Sequence, residues 1–204
     1  MNMNRILILF AHPRYEKSRI NRSLLAQLAG SEGITTHDLY EQYPDFNIEV
    51  EREKSLLLEH NIIIWQHPLY MYSAPAIIKQ WIDMVLEFGW AHGAGVDNLK
   101  GKIAFNTITA GGTRESYGRV GFNRYTMQEF LYPFEQTARL CKMHYLPPFA
   151  VQGTYRLSNT ELSRYATLYK AMLTFLSHCD FSEDMQQHPY LNDWFLKKQE
   201  RNGP

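Results

Sequence analysis

A chain of 204 residues, 45% hydrophobic and 14% aromatic, can bury a sizeable core, which excludes an intrinsically disordered protein. Its 21 basic residues balance its 21 acidic ones, so no overall charge favours nucleic acid or an anionic membrane as a partner, and only local patches remain to attract anions. The longest apolar runs are about six residues, against the roughly 20 that span a bilayer, and no signal-peptide pattern opens the chain. The length suits one domain. Cys141 and Cys179 lie far apart and read as two reduced thiols of a cytosolic protein.

In chain order, residues 5–11 (RILILFA) are the first expected strand. A helix follows over 18–29, with Ile20, Leu24, Leu25 and Leu28 on one face and Gly30 and Gly33 ending it. Residues 34–39 make a weaker strand, and 47–60 a helix of mixed charge and leucine. The run inside 61–66, Ile62-Ile63-Ile64-Trp65, suits a central strand covered on both faces. Pro75 stands just before a helix striped with Ile77, Ile78, Trp81, Ile82, Val85 and Leu86. Then come a strand at 102–110, a helix at 127–140 and a fifth strand at 144–150. Ser158-Asn159-Thr160-Glu161 has capping-box form and opens a last helix carrying Leu162, Tyr169, Met172 and Leu176. From Asp180 onward charge mixes with Trp194, Phe195 and Leu196. Residues 180–204 are therefore expected as an appendage to a domain of 1–179, packed on that domain or on a partner subunit.

Five strands alternating with helices specify an α/β fold with a parallel sheet and helices on both faces. The count fits the flavodoxin-like doubly wound order 2-1-3-4-5, in which ligands bind beyond the carboxyl ends of the strands. That rule selects the loops after strands one, three and four. The first runs from His12 to Asn21. Ser18 can cap the following helix, and the N–H groups and dipole of a helix start attract phosphate. Arg14, Lys17, Arg19 and Arg22 against Glu16 leave a local charge of +3, with His12 neutral. The second, His67 to Pro75, is aromatic and pinned by prolines, so it can offer apolar walls and N–H groups to a flat ring. The third places Gly111-Gly112 directly after a strand, where backbone can approach a ligand closely. Other chemistries find little support. There is no P-loop, no G-x-S-x-G elbow and no H-E-x-x-H; Gly93-Ala94-Gly95 follows no strand; and the scattered histidines suggest no metal site.

Taken together, the stretches AHP with SRIN, YPDFN, WQHPLYMYSAPAIIKQWID, TAGG and CKMHYLPPF make the chain resemble the flavodoxin-like NAD(P)H:quinone oxidoreductases. Within them it is most similar to the ancillary flavoprotein subunits of glutathione-regulated potassium efflux systems. The resemblance implies FMN, with FAD as the alternative, and NAD(P)H as co-substrate. It implies hydride transfer through the flavin to a quinone-type acceptor, or a regulatory role at the cytosolic face of a potassium efflux transporter with the reductase activity incidental. A third reading, an electron-carrier flavodoxin, fits less well because those proteins are typically acidic and this chain is neutral. Carried over residue by residue, phosphate and ribityl contacts fall on His12, Ser18, Arg19, Ile20 and Asn21. Ring contacts fall on Leu69, Tyr70, Met71 and Tyr72, and on Thr109, Ala110, Gly111 and Gly112. Met71 stands where many relatives have Trp, and Ala110 replaces a second Thr. Tyr117 matches a catalytic tyrosine, whereas the histidine that accompanies it in mammalian quinone reductases corresponds to Asn123. The resemblance further implies a homodimer, and Trp90, Phe122, Tyr125 and Phe130 are expected as exposed aromatics near the cofactor rim. Localisation is expected to be cytoplasmic, including a peripheral position at the inner face of the membrane.

Overall fold

The structure is a computed structural model that describes residues 3–201. Strands β1 (Ile6–Phe10), β2 (Ile34–Asp38), β3 (Ile62–Pro68) and β4 (Ile103–Ala110) run parallel in the order β2-β1-β3-β4, with the fifth position beyond β4. Successive side chains of a strand point to opposite faces, and β1 supplies both. Leu7 and Leu9 enter one core layer, and Ile6, Ile8 and Phe10 the other. Every residue of β1, β3 and β4 is buried, which explains their unbroken apolar runs.

Helices α3 (Val50–Glu59), α4 (Ala76–Val85) and α5 (Met127–Leu140) cover the first face, and α1 (Arg19–Leu28) and α6 (Asn159–Leu176) the second. A one-turn helix, α2 (Leu39–Gln42), follows β2 directly, capped by Asp38, whose carboxylate accepts the Tyr40 and Glu41 N–H groups. Under the first face, the fully buried Glu53 accepts hydrogen bonds from His37, Tyr43 and Trp81 at 2.7, 2.5 and 2.7 Å. Burial alone would raise the pKa of this carboxyl; its three partners hold it below the ordinary value. Tyr43 opens the YPDFN stretch and is buried in the core, with Phe46 packed against it and Pro44, Asp45 and Asn47 exposed.

Two expectations change. The continuous fifth strand at 144–150 is two strands, β5 (His144–Tyr145) and β6 (Phe149–Gln152), both parallel to β4. Pro147 and Pro148 lie in the gap. A proline has no N–H to give a ladder, so the strand breaks there and resumes beyond them. The tail, expected to pack on the domain or on a partner subunit, is narrowed to the first of these. Helix α7 (Leu191–Arg201) buries Leu191, Trp194 and Phe195 in the second core layer. Asn192 accepts the Ala150 N–H at 2.8 Å and donates to the Ala150 carbonyl at 3.1 Å, so a side chain completes the outer edge of β6. Among the described residues no helix is long and apolar enough to cross a membrane.

Candidate functional site

The carboxyl ends of β1, β3, β4 and β6 open on one edge of the sheet, where the loops leaving them meet. Ser18 caps α1, its Oγ accepting the Asn21 N–H at 3.3 Å and Asn21 Nδ2 at 3.1 Å. The Ser18 hydroxyl proton has no acceptor among the described residues, and the Arg19 and Ile20 N–H groups, at the start of the helix, have no intrahelical one. These donors make the end of α1 suited to an anion.

Asn21 is placed otherwise. It is fully buried, its amide donates also to Thr109 Oγ1 at 3.3 Å, and its carbonyl accepts from Gln66 Nε2 at 3.1 Å. Gln66 accepts from the Tyr169 hydroxyl at 3.0 Å, and that hydroxyl accepts from Thr107 at 3.2 Å. Asn21 thus spends its amide protons inside the protein and ties α1 to β3, β4 and α6. Arg19 also turns aside, its guanidinium donating to the Leu157 carbonyl beyond β6.

His12 is buried, accepts the Arg14 N–H on Nδ1 at 3.1 Å, and is held below its ordinary pKa by that burial. The neutral ring therefore carries its proton on Nε2, which lies 3.4 Å from the Tyr70 hydroxyl. This contact joins the first loop to the second at the point where the strand order reverses.

The second loop is shaped by an unusual turn. Tyr70 and Ser73 exchange backbone hydrogen bonds of 3.0 Å each way, and between them Met71 and Tyr72 have φ of 45° and 67°. Two successive left-handed residues are the signature of a type I′ turn, which favours Asn-Gly. Placing Met-Tyr there costs roughly 1–2 kcal/mol per residue, and strain of this kind gathers where ligands are gripped. The Met71 and Tyr72 N–H groups have no protein acceptor among the described residues, and the Met71 side chain is 88% exposed. Beneath the loop, His67 is wholly buried between the Pro68 carbonyl and Asn106 Nδ2, both at 3.0 Å, and burial lowers its pKa to about 4.

The third loop faces this turn. Thr109 and Ala110 are buried strand residues, and the Leu69 N–H donates to the Thr109 carbonyl at 2.8 Å. A Cβ on Gly112 would lie 3.1 Å from the Tyr117 ring, a tight approach that glycine avoids and that the ring would have to shift to relieve. A cleft of about 370 Å³ separates the Met71–Tyr72 turn from Gly111–Gly112 and is closed by Tyr117, Phe122 and Asn123. Tyr72 stacks on Phe130 at 5.2 Å, and Tyr117 and Tyr125 meet the same ring edge-on. Of the four aromatics expected on the surface, Phe122 and Tyr125 are exposed. Phe130 is half-buried as the hub of this cluster, and Trp90 half-buried under the Lys54 ammonium, 5.4 Å from its ring.

A fourth loop, 153–157, escaped the sequence reading. Gly153 and Thr154 donate to the carbonyls of Gly112 and Ala110 at 2.8 and 3.2 Å, and Tyr155 lies against Gly111, where a Cβ would approach its ring to 2.4 Å. The strand-end rule applies equally to β6, and Gly153 followed by Tyr155 was the available signal. A larger cavity, about 890 Å³, is not this cleft; it lies behind the fourth loop, between α6 and α7.

Three comparisons bear on this geometry. A family model described as flavodoxin-like fold matches residues 4–173. The glutathione-regulated potassium-efflux system ancillary protein KefG of Erwinia tasmaniensis is 43% identical over 165 residues, 81% of this chain and 90% of that protein. Among solved structures, general stress protein 14 of Treponema denticola in complex with FMN superposes with a TM-score of 0.80 at 34% identity, covering 84% of this chain and 99% of that one. An NADPH-quinone reductase from P. pentosaceus gives 0.77 at 31%, covering 86% and 99%. A chain described as a thermophilic tryptophan halogenase from Streptomycin violaceusniger gives 0.78 at 40%, covering 80% and 95%. The match over residues 4–173 and the parallel order β2-β1-β3-β4-β5 agree, and the chain belongs to the flavodoxin-like fold family.

Proposed function

We propose that the chain is a flavin-dependent oxidoreductase that holds FMN at the carboxyl edge of the sheet and passes reducing equivalents from NAD(P)H to a quinone-type acceptor. The observation that carries this reading is the strained Met71–Tyr72 turn set across a cleft from Gly111–Gly112, beside a helix start with free donors. The residues present fit the cofactor. The Ser18 hydroxyl and the Arg19 and Ile20 N–H groups suit its phosphate, with His12 beside the chain that leads from it. The N–H groups of the turn and Gly111–Gly112 suit a flat ring, with Leu69 and Tyr72 as walls. The likeness to an FMN-bound relative at 34% identity favours FMN over FAD. Bound there, FMN would supply the two-electron redox chemistry. The protein binds, orients and excludes water. Burial raises the pKa of Tyr117, so its Oη keeps its proton at neutral pH and can donate it to an acceptor oxygen in the cleft. Purified protein is expected to be yellow, to release FMN on heating, and to oxidise NAD(P)H with menadione as acceptor. A colourless protein that takes up no FMN would refute the proposal.

The likeness to KefG favours a second reading. In it the chain is a cytoplasmic ancillary subunit, peripheral at the inner membrane face, that binds a potassium efflux transporter and raises its activity. Capture of that transporter by the flavin-loaded protein, alongside NAD(P)H oxidation too slow to matter, separates the second reading from the first.

A further inference from the structure

The cavity of about 890 Å³ lies behind loop 153–157, away from the cleft between Met71–Tyr72 and Gly111–Gly112, and one wall of it is α7, which begins after the last residue of the family match at 173. Its apolar lining comes from Leu157, Leu168, Ala171 and Leu196, with Tyr165 and Tyr190 as aromatic walls. Its charges are unevenly engaged. Arg114 is spent, bonded twice to Asp193 at 2.9 and 2.5 Å and lying over the Tyr190 ring at 4.5 Å. The Glu161 carboxylate is spent on the capping box with Ser158. Arg156 and Arg164 also line the cavity, and neither has an ion-pair or side-chain hydrogen-bond partner among the described residues. One further donor is uncommitted. Tyr190 is 5% exposed and its hydroxyl accepts from Gln152 Nε2 at 3.3 Å, while its own proton has no acceptor among the described residues.

We propose that this cavity is a second binding site, for a small organic anion with an apolar body and one carboxylate, sulfonate or phosphate head. Ligand sites of about 300–1,000 Å³ lined mostly by apolar and aromatic side chains, with a few placed polar groups, are the common form for such molecules. The apolar walls accept the body, Arg156 and Arg164 take the head, and the Tyr190 hydroxyl offers an inner donor. A cationic ligand is disfavoured, because both acidic side chains of the lining are already engaged. The site shares loop 153–157 with the flavin edge, with Tyr155 against Gly111 on one side and Arg156 and Leu157 on the other.

The test uses the flavin-loaded protein and the fluorescent aromatic anion 8-anilinonaphthalene-1-sulfonate, so that the cofactor cleft is occupied. Saturable binding at one site per chain, weakening as ionic strength rises, is expected. The double variant Arg156→Ala, Arg164→Ala should bind at least about tenfold more weakly, while Arg156→Lys, Arg164→Lys keeps most of the affinity. Leu168→Trp should abolish binding by filling the space. Thermal melts and flavin content matching wild type show that the variants remain folded. Absence of saturable binding overturns the proposal, as does equal binding by wild type and the double alanine variant. So does a sedimenting mass that falls from two chains to one in Leu168→Trp, since a second copy would then occupy the cavity.

Discussion

At the scale of single residues, Ser18 and Asn21 stand three positions apart on one helix turn yet have separable tasks. The Ser18 hydroxyl proton has no acceptor among the described residues, so Ser18→Ala should weaken FMN binding by roughly ten- to a hundredfold and lower stability by only about 1 kcal/mol through the lost cap. Asn21→Ala leaves Gln66 Nε2 and Thr109 Oγ1 without their Asn21 partner in the core, which should cost about 1–3 kcal/mol of stability. Denaturant titration and flavin-quenching titration of both variants check the pair; equal losses in both measurements would merge the two roles. His67 gives a pH signature. Its folded pKa of about 4 lies below the ordinary histidine value of 6.5, so the unfolded chain binds the extra proton between those values. Its contribution is fully present above pH 6.5 and falls as pH drops towards 4, by roughly 3 kcal/mol in all. Buried His12 and His60 act in the same direction, so the difference between wild type and His67→Phe, taken at pH 7 and pH 5, isolates this histidine. An identical pH slope in the two proteins would contradict the assignment.

At the scale of elements, what could be read in the sequence was whatever leaves a local pattern. The buried strands announce themselves as runs because both faces are covered, and α1, α4 and α6 as stripes with capping signals. The parts that were missed depend on distant partners or on backbone shape. The tie from Asn21 to Thr109 spans 88 positions, and no periodicity encodes it. The left-handed turn at Met71–Tyr72 carries side chains that ordinarily avoid such turns, so composition pointed away from it. The split of the fifth strand was visible as Pro147-Pro148 but was outweighed by the apolar residues around it. Two predictions belong here. Met71→Asn removes only an exposed side chain and better suits a left-handed position, so it should raise the free energy of unfolding by about 1 kcal/mol. A loss of stability would show that Met71 is held by packing rather than merely tolerated. Asn192→Ala uncovers the Ala150 N–H and carbonyl on the outer edge of β6 and should cost about 2 kcal/mol or more, with aggregation on warming. Light scattering during a melt checks it, and an unchanged profile would mean that the α7 core residues alone hold the tail.

At the scale of the whole molecule, the rim of the proposed cofactor cleft carries exposed apolar side chains. Phe122 is 87% exposed, and Val120, Tyr125 and Met71 are exposed beside the cleft or in the segment that leads to it. Exposed apolar side chains grouped in this way ordinarily mark an interface. The cleft wall at Phe122 is the part a second copy would cover, and a two-fold arrangement would complete two equivalent sites at once. The core does not claim these side chains: Phe130 gathers Tyr72, Tyr117 and Tyr125, and leaves Phe122 outside the cluster. We therefore expect a homodimer, with a sedimenting mass twice the 24.0 kDa of one chain at micromolar concentration. Phe122→Glu should reduce it to one chain by placing a charge at the two-fold contact, and should weaken acceptor binding more than FMN binding, since the proposed phosphate contacts lie at the start of α1. A wild-type mass of one chain, with flavin bound and full activity, would instead make the exposed rim a surface for a different partner.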